Sequence, residues 1–311
     1  MSSDTGHLSV LLTESVEGLV QQEDGIYIDG TFGRGGHSGK ILQALSPKGR
    51  LLAIDKDLDA MNSTQAKAYL EDDRFEIEHS SFAEMKSLAH SRGWEGSVDG
   101  ILLDLGVSSP QLDVAERGFS FMKDGPLDMR MDTTVGESAS QWLSHVGEYE
   151  LTKVLRVYGE EKFARRIAAE IIATREEKPL QTTSQLAALI AGIIKKKEPG
   201  KHPATRSFQA IRIQINKELE DIEQALEQSM ALLKPGGRLV IISFHSLEDR
   251  MVKRFMREKS RGQITPRHLP IPLDAIKPTL TCIGKATKAS LEEVKGNVRS
   301  RSAVLRIAER L

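Results

Sequence analysis

The sequence has almost no cysteine, with Cys282 alone among 311 residues. A single cysteine excludes an internal disulfide and any zinc site made of several thiolates, and it fits a reducing compartment. We therefore expect a cytoplasmic protein without a metal site. Because residues 280–283 are mainly apolar, Cys282 is interpreted as a small buried hydrophobe.

Long apolar runs and an excess of one charge are also missing. No run is long enough to span a bilayer, and the first residues lack the basic-then-apolar pattern of a secretory signal. We therefore expect no membrane contact. The 43 Lys and Arg nearly balance the 44 Asp and Glu, for a formal net charge of -1. Any contact with nucleic acid must then come from local basic patches.

A glycine-rich turn dominates what is present. A short apolar run ends in Asp29, and a cluster of glycines follows where the chain must turn sharply. A helical stripe comes next, and then an apolar run, residues 51–54, closed by Asp55. This order predicts a nucleotide-type site at the carboxyl edge of a parallel sheet, where Asp55 can accept two ribose hydroxyls.

The turn does not match the dinucleotide pattern G-x-G-x-x-G/A, because Ser38 stands at the third position and Gly39 comes one residue late. Asp29 would repel a pyrophosphate but would suit an ammonium group. S-adenosylmethionine has an ammonium group and a ribose but no phosphate, so the pattern favours it. A nicotinamide-dependent oxidoreductase is the alternative.

Two more predicted strands end near the same edge. Residues 75–79 alternate like a third strand, and Phe82 after them either fills the core or lies against an adenine ring. Residues 98–104 form an apolar strand that ends in Asp104. The loop that follows, residues 105–111, emerges on the side of Asp55.

The alternation of strands and helices stops after this loop. Residues 113–131 show no clean period, and helices without strands follow, so we predict a largely helical insertion over residues 114–204. Thr182 and Gln185 predict a capping box within it. Its end, residues 195–206, is basic and turn-rich, and is either a solvated linker or a phosphate contact.

The sheet resumes after the insertion. Phe208 to Leu226 are predicted to form one long helix, followed by Pro-Gly-Gly and a fifth strand. That order is frequent in methyltransferase folds. His245 follows the strand and either belongs to a helix entry or faces a substrate. Residues 303–307 are predicted as the final strand.

Five blocks, in this order, resemble the bacterial ribosomal RNA small-subunit methyltransferase H family, also called MraW: residues 29–38, 102–111, 125–132, 201–206 and 243–250. The resemblance extends from His7 to Arg301. It implies an α/β class I S-adenosylmethionine-dependent methyltransferase, Rossmann-like with a mostly parallel sheet and an inserted helical domain. The expected methyltransferase domain comprises residues 1–113 and 205–311, and residues 114–204 the RNA-recognition domain.

The resemblance also implies an activity and a cofactor site. Family members use S-adenosylmethionine to methylate the exocyclic N4 of a cytosine in the decoding region of 16S rRNA, which we expect here within the 30S subunit. Whether the protein forms a homodimer stays open. Matched by position, the expected cofactor-binding residues are Gly35, Gly36, His37, Asp55, Phe82, Asp104 and Gln111.

Methylation of an amino nitrogen needs acceptors that hold its hydrogens and turn its lone pair toward the methyl group. The catalytic candidates are therefore Asp104, Ser108, Ser109 and His245. The RNA-binding candidates, chosen for charge or a stacking ring, are Phe119, Phe121, Arg130, Lys201, His202, Arg206, Arg299 and Arg301. A DNA amino methyltransferase and a non-catalytic ribosome assembly factor remain as alternatives.

Overall fold

The computed structural model describes residues 9–194, 202–261 and 277–311. The chain divides into two compact units, which we call the sheet unit (Met1–Gly106 with Glu220–Leu311) and the helical unit (Val107–Leu219). The α-helices of the described residues are α1 Leu12–Leu19, α2 Gly36–Ala44, α3 Leu58–Met61, α4 Thr64–Tyr69, α5 Met85–His90, α6 Ser109–Asp113, α7 Ala139–His145, α8 Glu148–Val157, α9 Ala164–Glu177, α10 Thr183–Ile193, α11 Thr205–Asn216, α12 Glu218–Leu232, α13 Ser246–Arg261 and α14 Leu291–Gly296.

The sheet unit contains one seven-stranded sheet in the order β3-β2-β1-β4-β5-β7-β6. Neighbouring strands from β3 to β5 run parallel, and β7 is antiparallel to both β5 and β6. The strands are β1 Ile26–Asp29, β2 Arg50–Asp55, β3 Phe75–His79, β4 Val98–Asp104, β5 Leu233–Ser243, β6 Leu280–Lys288 and β7 Val304–Arg310. This sheet confirms the predicted class I methyltransferase fold.

Burial explains why the central strands lie where they do. Every residue of β4 from Val98 to Leu103 is buried, as expected for a parallel strand covered on both faces. Helices α1 and α2 contribute Leu19, Ile41 and Leu42 to the core on one side of the sheet. The sheet core therefore sets the positions of the strand ends where the acids stand.

The helical unit has a hydrophobic core of its own. It is built from the inward stripes of α7 to α11, including Trp142, Leu151, Ile167, Ile190 and Phe208. The predicted capping box at Thr182 and Gln185 is present at the start of α10. Among the described helices, none is long and apolar enough to cross a membrane.

The structure corrects two expectations about the insertion. Helix α11, expected in the methyltransferase domain, belongs to the helical unit because Phe208 and Ile211 pack into that unit's core. The expected single helix from Phe208 to Leu226 is two helices, since Lys217 is left-handed at φ 53° and ends α11. The helical unit therefore spans Val107–Leu219 rather than residues 114–204.

The expectation for Cys282 was also wrong. The side chain is exposed, because residues 280–288 form β6, the outermost strand of the sheet beside β7. That strand was not predicted from the sequence. Its pairing partner, β7, covers the predicted final strand and extends it to Arg310.

Candidate cofactor site

Three carboxylates stand at the carboxyl ends of adjacent parallel strands. Asp29 ends β1, Asp55 ends β2 and Asp104 ends β4. In the sheet register Asp29 is paired with Ala53 on one side and Leu102 on the other, so the three acids converge on one edge. This edge is where parallel α/β sheets bind their ligands.

The glycine turn holds Asp55 in place. The Gly33 amide donates to Asp55 Oδ2 at 2.7 Å, and the Asp57 amide donates to Oδ1 at 2.8 Å. Each oxygen retains a second lone pair for a ligand hydroxyl. Burial raises the pKa of Asp55 to about 6, although the two amide hydrogen bonds oppose this shift.

Gly35 and Gly36 are required for packing around the turn. Gly35 is left-handed at φ 75°, and a Cβ there would lie 2.8 Å from the Phe32 ring and 2.9 Å from the Tyr69 ring. At Gly36 a Cβ would meet the hydroxyl of Ser9. The N-terminal segment thus lies directly over the turn, which nothing in the local sequence indicates.

Asp29 is fully buried and bonded to its own turn. Its carboxylate accepts from Ser38 Oγ at 2.6 Å and from the Thr31 amide at 3.1 Å. Burial raises the pKa of Asp29, and the nearby His37 and these hydrogen bonds oppose the shift. The expectation that Asp29 receives an ammonium group was therefore wrong, because Ser38 and Thr31 close over it.

Asp104 is partly exposed, at 24% of its side-chain area. The side-chain Oδ1 of Asp104 has no hydrogen-bond partner among the described residues. The backbone amide of Asp104 donates to Thr31 Oγ1 at 2.7 Å. Burial raises the pKa of Asp104 well above its usual value, and the charges of Asp29 and Glu248 raise it further. A cationic group placed here would relieve both effects.

His37 lies beside Asp104 but is itself buried. Its Nδ1 is 3.7 Å from Asp104 Oδ2, and its Nε2 is 3.2 Å from the Val10 carbonyl oxygen. Burial lowers the pKa of His37, although Asp29 opposes this shift, so the ring is neutral at pH 7. Because a carbonyl only accepts, the proton is on Nε2. His37 thus anchors the N-terminal segment to the turn.

Phe82 begins a 3-10 helix, Phe82–Glu84, just beyond β3 and packs close to Gly30. It is partly exposed, so it is not a fully buried core residue. Ser81, which caps this helix, donates to Asp221 Oδ2 at 2.6 Å, and Lys56 forms an ion pair with the same oxygen. Sequence reasoning missed this network because 140 residues separate Ser81 from Asp221.

His245 follows β5 directly and contacts Glu248. Its Nε2 is 3.1 Å from Glu248 Oε1, while Glu248 Oε2 accepts from the amides of Phe244 and His245. Glu248 is fully buried. The pair fixes the imidazole at the entry to α13, so both interpretations of His245, helix entry and substrate contact, are compatible with its position.

Three predicted site residues belong to the helical unit instead. Ser108 and Gln111 form a capping box at the start of α6, in which Gln111 Oε1 accepts from the Ser108 amide at 2.9 Å. Ser109 is buried in the same helix. The sequence carries the signal for this box, because Ser108 and Gln111 stand three residues apart as in the box at Thr182, but the loop was interpreted only by its position after Asp104.

The RNA-binding candidates are scattered. Phe119 is buried, and the guanidinium carbon of Arg117 lies 5.8 Å from the centroid of the Phe119 ring. The expectation that Phe119 offers a stacking surface was therefore wrong. Phe121 contacts His202 at a ring-centroid distance of 4.5 Å, and also Phe208 at 4.8 Å.

The charged candidates differ in their exposure. Arg130 pairs with Asp128, and Arg206 is partly exposed on α11. Arg299 and Arg301 are exposed in the 3-10 helix Val298–Ser302. Lys201 lies outside the described residues.

The model of the MraW methylase family matches residues 4–311 of the chain. The chain belongs to this family. It is 58% identical to ribosomal RNA small subunit methyltransferase H of Thioalkalivibrio sulfidiphilus, over 98% of this chain and 97% of that protein. It is 57% identical to the protein of the same name from Shewanella oneidensis, over 100% and 99% of the two chains.

Membership in the MraW methylase family makes the protein a methyltransferase with S-adenosylmethionine as its cofactor, which excludes the oxidoreductase alternative. The residues at the sheet edge fit that cofactor. Asp55 offers acceptors for ribose hydroxyls, and the unpartnered Asp104 Oδ1 offers one for an ammonium group. A pyrophosphate would meet the carboxyl groups of Asp55 and Asp104 here, which argues against a dinucleotide.

Proposed function

We propose that this protein transfers the methyl group of S-adenosylmethionine to the exocyclic N4 of a cytosine in the decoding region of 16S rRNA, within the 30S subunit. The observation that carries the proposal is the family match over residues 4–311. It is supported by relatives named for the small-subunit ribosomal RNA and by a sheet edge that carries acids rather than phosphate-binding groups.

Four residues of the sheet unit would bind the cofactor. Asp55 would accept the ribose hydroxyls, Phe82 would lie against the adenine, and Asp104 would receive the ammonium group. Gly35 would let the turn approach the ligand closely. When bound, S-adenosylmethionine supplies an electrophilic methyl group on a sulfonium centre.

We propose that catalysis rests on positioning. The amino nitrogen of cytosine is a poor nucleophile while its lone pair is delocalised into the ring, so acceptors must hold its hydrogens and orient the lone pair. Asp104 and the serines that follow it along the chain, Ser108 and Ser109, are the proposed acceptors. His245 is the proposed acceptor of the proton that nitrogen loses.

Mass spectrometry of rRNA nucleosides tests this function. Purified 30S subunits and naked 16S rRNA, both from cells without the enzyme, are incubated with the protein and S-adenosylmethionine. N4-methylcytidine should appear, and at a higher level with 30S subunits. Methylation of DNA with none of rRNA would favour the DNA amino methyltransferase. No methyl transfer to either would favour the assembly factor.

A further inference from the structure

The turn between α8 and α9 combines exposed apolar and cationic side chains. We define the α8–α9 corner as residues 156–166, between the end of α8 and the first turn of α9. Its backbone is well fixed, because the Glu161 carboxylate accepts from the Phe163 amide at 3.0 Å and Gly159 is buried. A Cβ at Gly159 would lie 2.7 Å from two backbone carbonyls.

Two large apolar side chains of the corner face solvent. Phe163 is 42% exposed and Val157 is 49% exposed, although Ala164 and Ile167 of α9 are buried. Phe163 precedes the first turn of α9, so its ring does not join the inward stripe of that helix. An exposed aromatic ring on a fixed backbone can bind a flat partner without reordering the protein.

Four exposed cations lie next to these apolar residues in the sequence, namely Arg156, Lys162, Arg165 and Arg166. None forms an ion pair with any carboxylate in the part of the chain that the structure describes. Lys162 lies just before α9, and Arg165 and Arg166 lie in its first turn. The corner also contains two acids, Glu160 and Glu161, which leaves it a formal charge of +2 in a chain of net charge -1.

We infer that the α8–α9 corner is an RNA-docking surface, with the four cations on phosphates and the Phe163 ring stacked on an unpaired base. Aromatic rings set among unpaired Arg and Lys are the combination with which proteins bind single-stranded RNA. This inference rests on the proposed rRNA substrate, and it assigns a place on the helical unit where that substrate is held.

RNA binding by paired variants tests the corner. The probes are a fluorescein-labelled single-stranded RNA and isolated 30S subunits, titrated at several salt concentrations. Phe163→Ser should weaken binding about tenfold through the lost stack. Its control is Tyr149→Ser, because Tyr149 is 86% exposed on α8 but stands between Glu148 and Glu150. The control should bind as the wild type does.

Two charge-removing variants, one at each end of α9, give an independent readout. Arg166→Gln should lower the slope of log affinity against log salt by about one unit. Lys178→Gln, an exposed cation just after the other end of α9, should leave that slope unchanged. Cofactor affinity and thermal unfolding should match the wild type in all four variants. If Phe163→Ser fails to fold, Arg166→Gln still decides.

The inference is overturned if the corner variants and their controls bind RNA equally well. It is also overturned if Phe163→Ser converts a dimer to a monomer in sedimentation velocity with RNA affinity unchanged, because the corner would then be an interface between copies. If the corner variants bind RNA more weakly than their controls but the wild type methylates no rRNA, the RNA-docking inference is retained and the proposed function is rejected.

Discussion

At the scale of single residues, Asp55 has the best-defined proposed contact. Its two oxygens are oriented by backbone amides at 2.7 and 2.8 Å, which leaves them aimed at the turn. Asp55→Ala should weaken S-adenosylmethionine binding by about 1.5–3 kcal/mol, the range for charge-assisted hydrogen bonds. Isothermal calorimetry measures this, and an unchanged affinity in the folded variant would remove Asp55 from the site.

The raised pKa of Asp55 has a consequence for stability. The folded protein keeps this proton up to a pH of about 6, whereas the unfolded chain releases it near the ordinary aspartate pKa of 3.8. The folded state therefore binds more protons in that window, and the contribution to the free energy of unfolding falls as pH rises through it. The fall should be at most about 3 kcal/mol.

Urea unfolding without cofactor at pH 4.5 and pH 7 measures this effect. The loss of stability between the two pH values should be smaller in Asp55→Asn than in the wild type. Asp73→Asn, which alters an exposed acid, is the control and should retain the wild-type difference. If Asp55→Asn lost as much stability between pH 4.5 and pH 7 as the wild type does, the pH dependence would come from other groups.

The proposed chemistry predicts different effects for two of the three proposed acceptors, Asp104 and Ser109, and for Cys282. Asp104→Ala and Ser109→Ala should each lower turnover by about 10²-fold with RNA affinity largely kept, because both are proposed to hold the amino hydrogens during transfer. Asp104→Ala should also weaken cofactor binding, because Asp104 is the proposed partner of the ammonium group. Cys282→Ala should remain fully active, since Cys282 is exposed on edge strand β6. Radiolabelled methyl transfer checks all three. An inactive but folded Cys282→Ala would indicate a covalent mechanism instead.

At the scale of elements, the start of α2 depends on Gly35. Two costs fall there together, a left-handed φ of 75° and a Cβ that would lie 2.8–2.9 Å from two aromatic rings. Gly35→Ala should destabilise the fold by about 2–4 kcal/mol, since overpacking and strain add.

Gly93 provides the matched control, because its φ is 70° but nothing lies within 4 Å of a Cβ built there. Gly93→Ala should cost only about 1 kcal/mol, from the backbone conformation alone. Thermal unfolding compares the two variants. Equal costs would show that the contact with Phe32 and Tyr69 does not matter.

At the scale of the whole molecule, each unit has a hydrophobic core cluster among its described residues. Ile167 is fully buried in the core of the helical unit, while the Asp55 and Asp104 carboxylates belong to the sheet unit. Ile167→Ala should lower the stability of α9 by about 2–5 kcal/mol, measured by hydrogen exchange, with little change in cofactor affinity. A parallel loss of cofactor affinity would contradict the assignment of the cofactor contacts to residues of the sheet unit.

The sequence by itself determined what depends on neighbouring residues. Strands β1 to β4, the glycine turn and the capping box at Thr182 follow from local periodicity and turn chemistry. The acids at the strand ends could be predicted for the same reason, since a parallel strand places its last residue at a known edge.

Tertiary packing decided what the acids and aromatic residues can do. Asp29 is buried and bonded to Ser38 and Thr31, so it is not open to the expected ammonium group. Phe119 is buried, so it does not offer the expected stacking surface. The pairing of Ser81 with Asp221 and the place of α11 in the helical core join residues that are distant in sequence. No local pattern encodes such contacts, because burial is a property of the assembled fold.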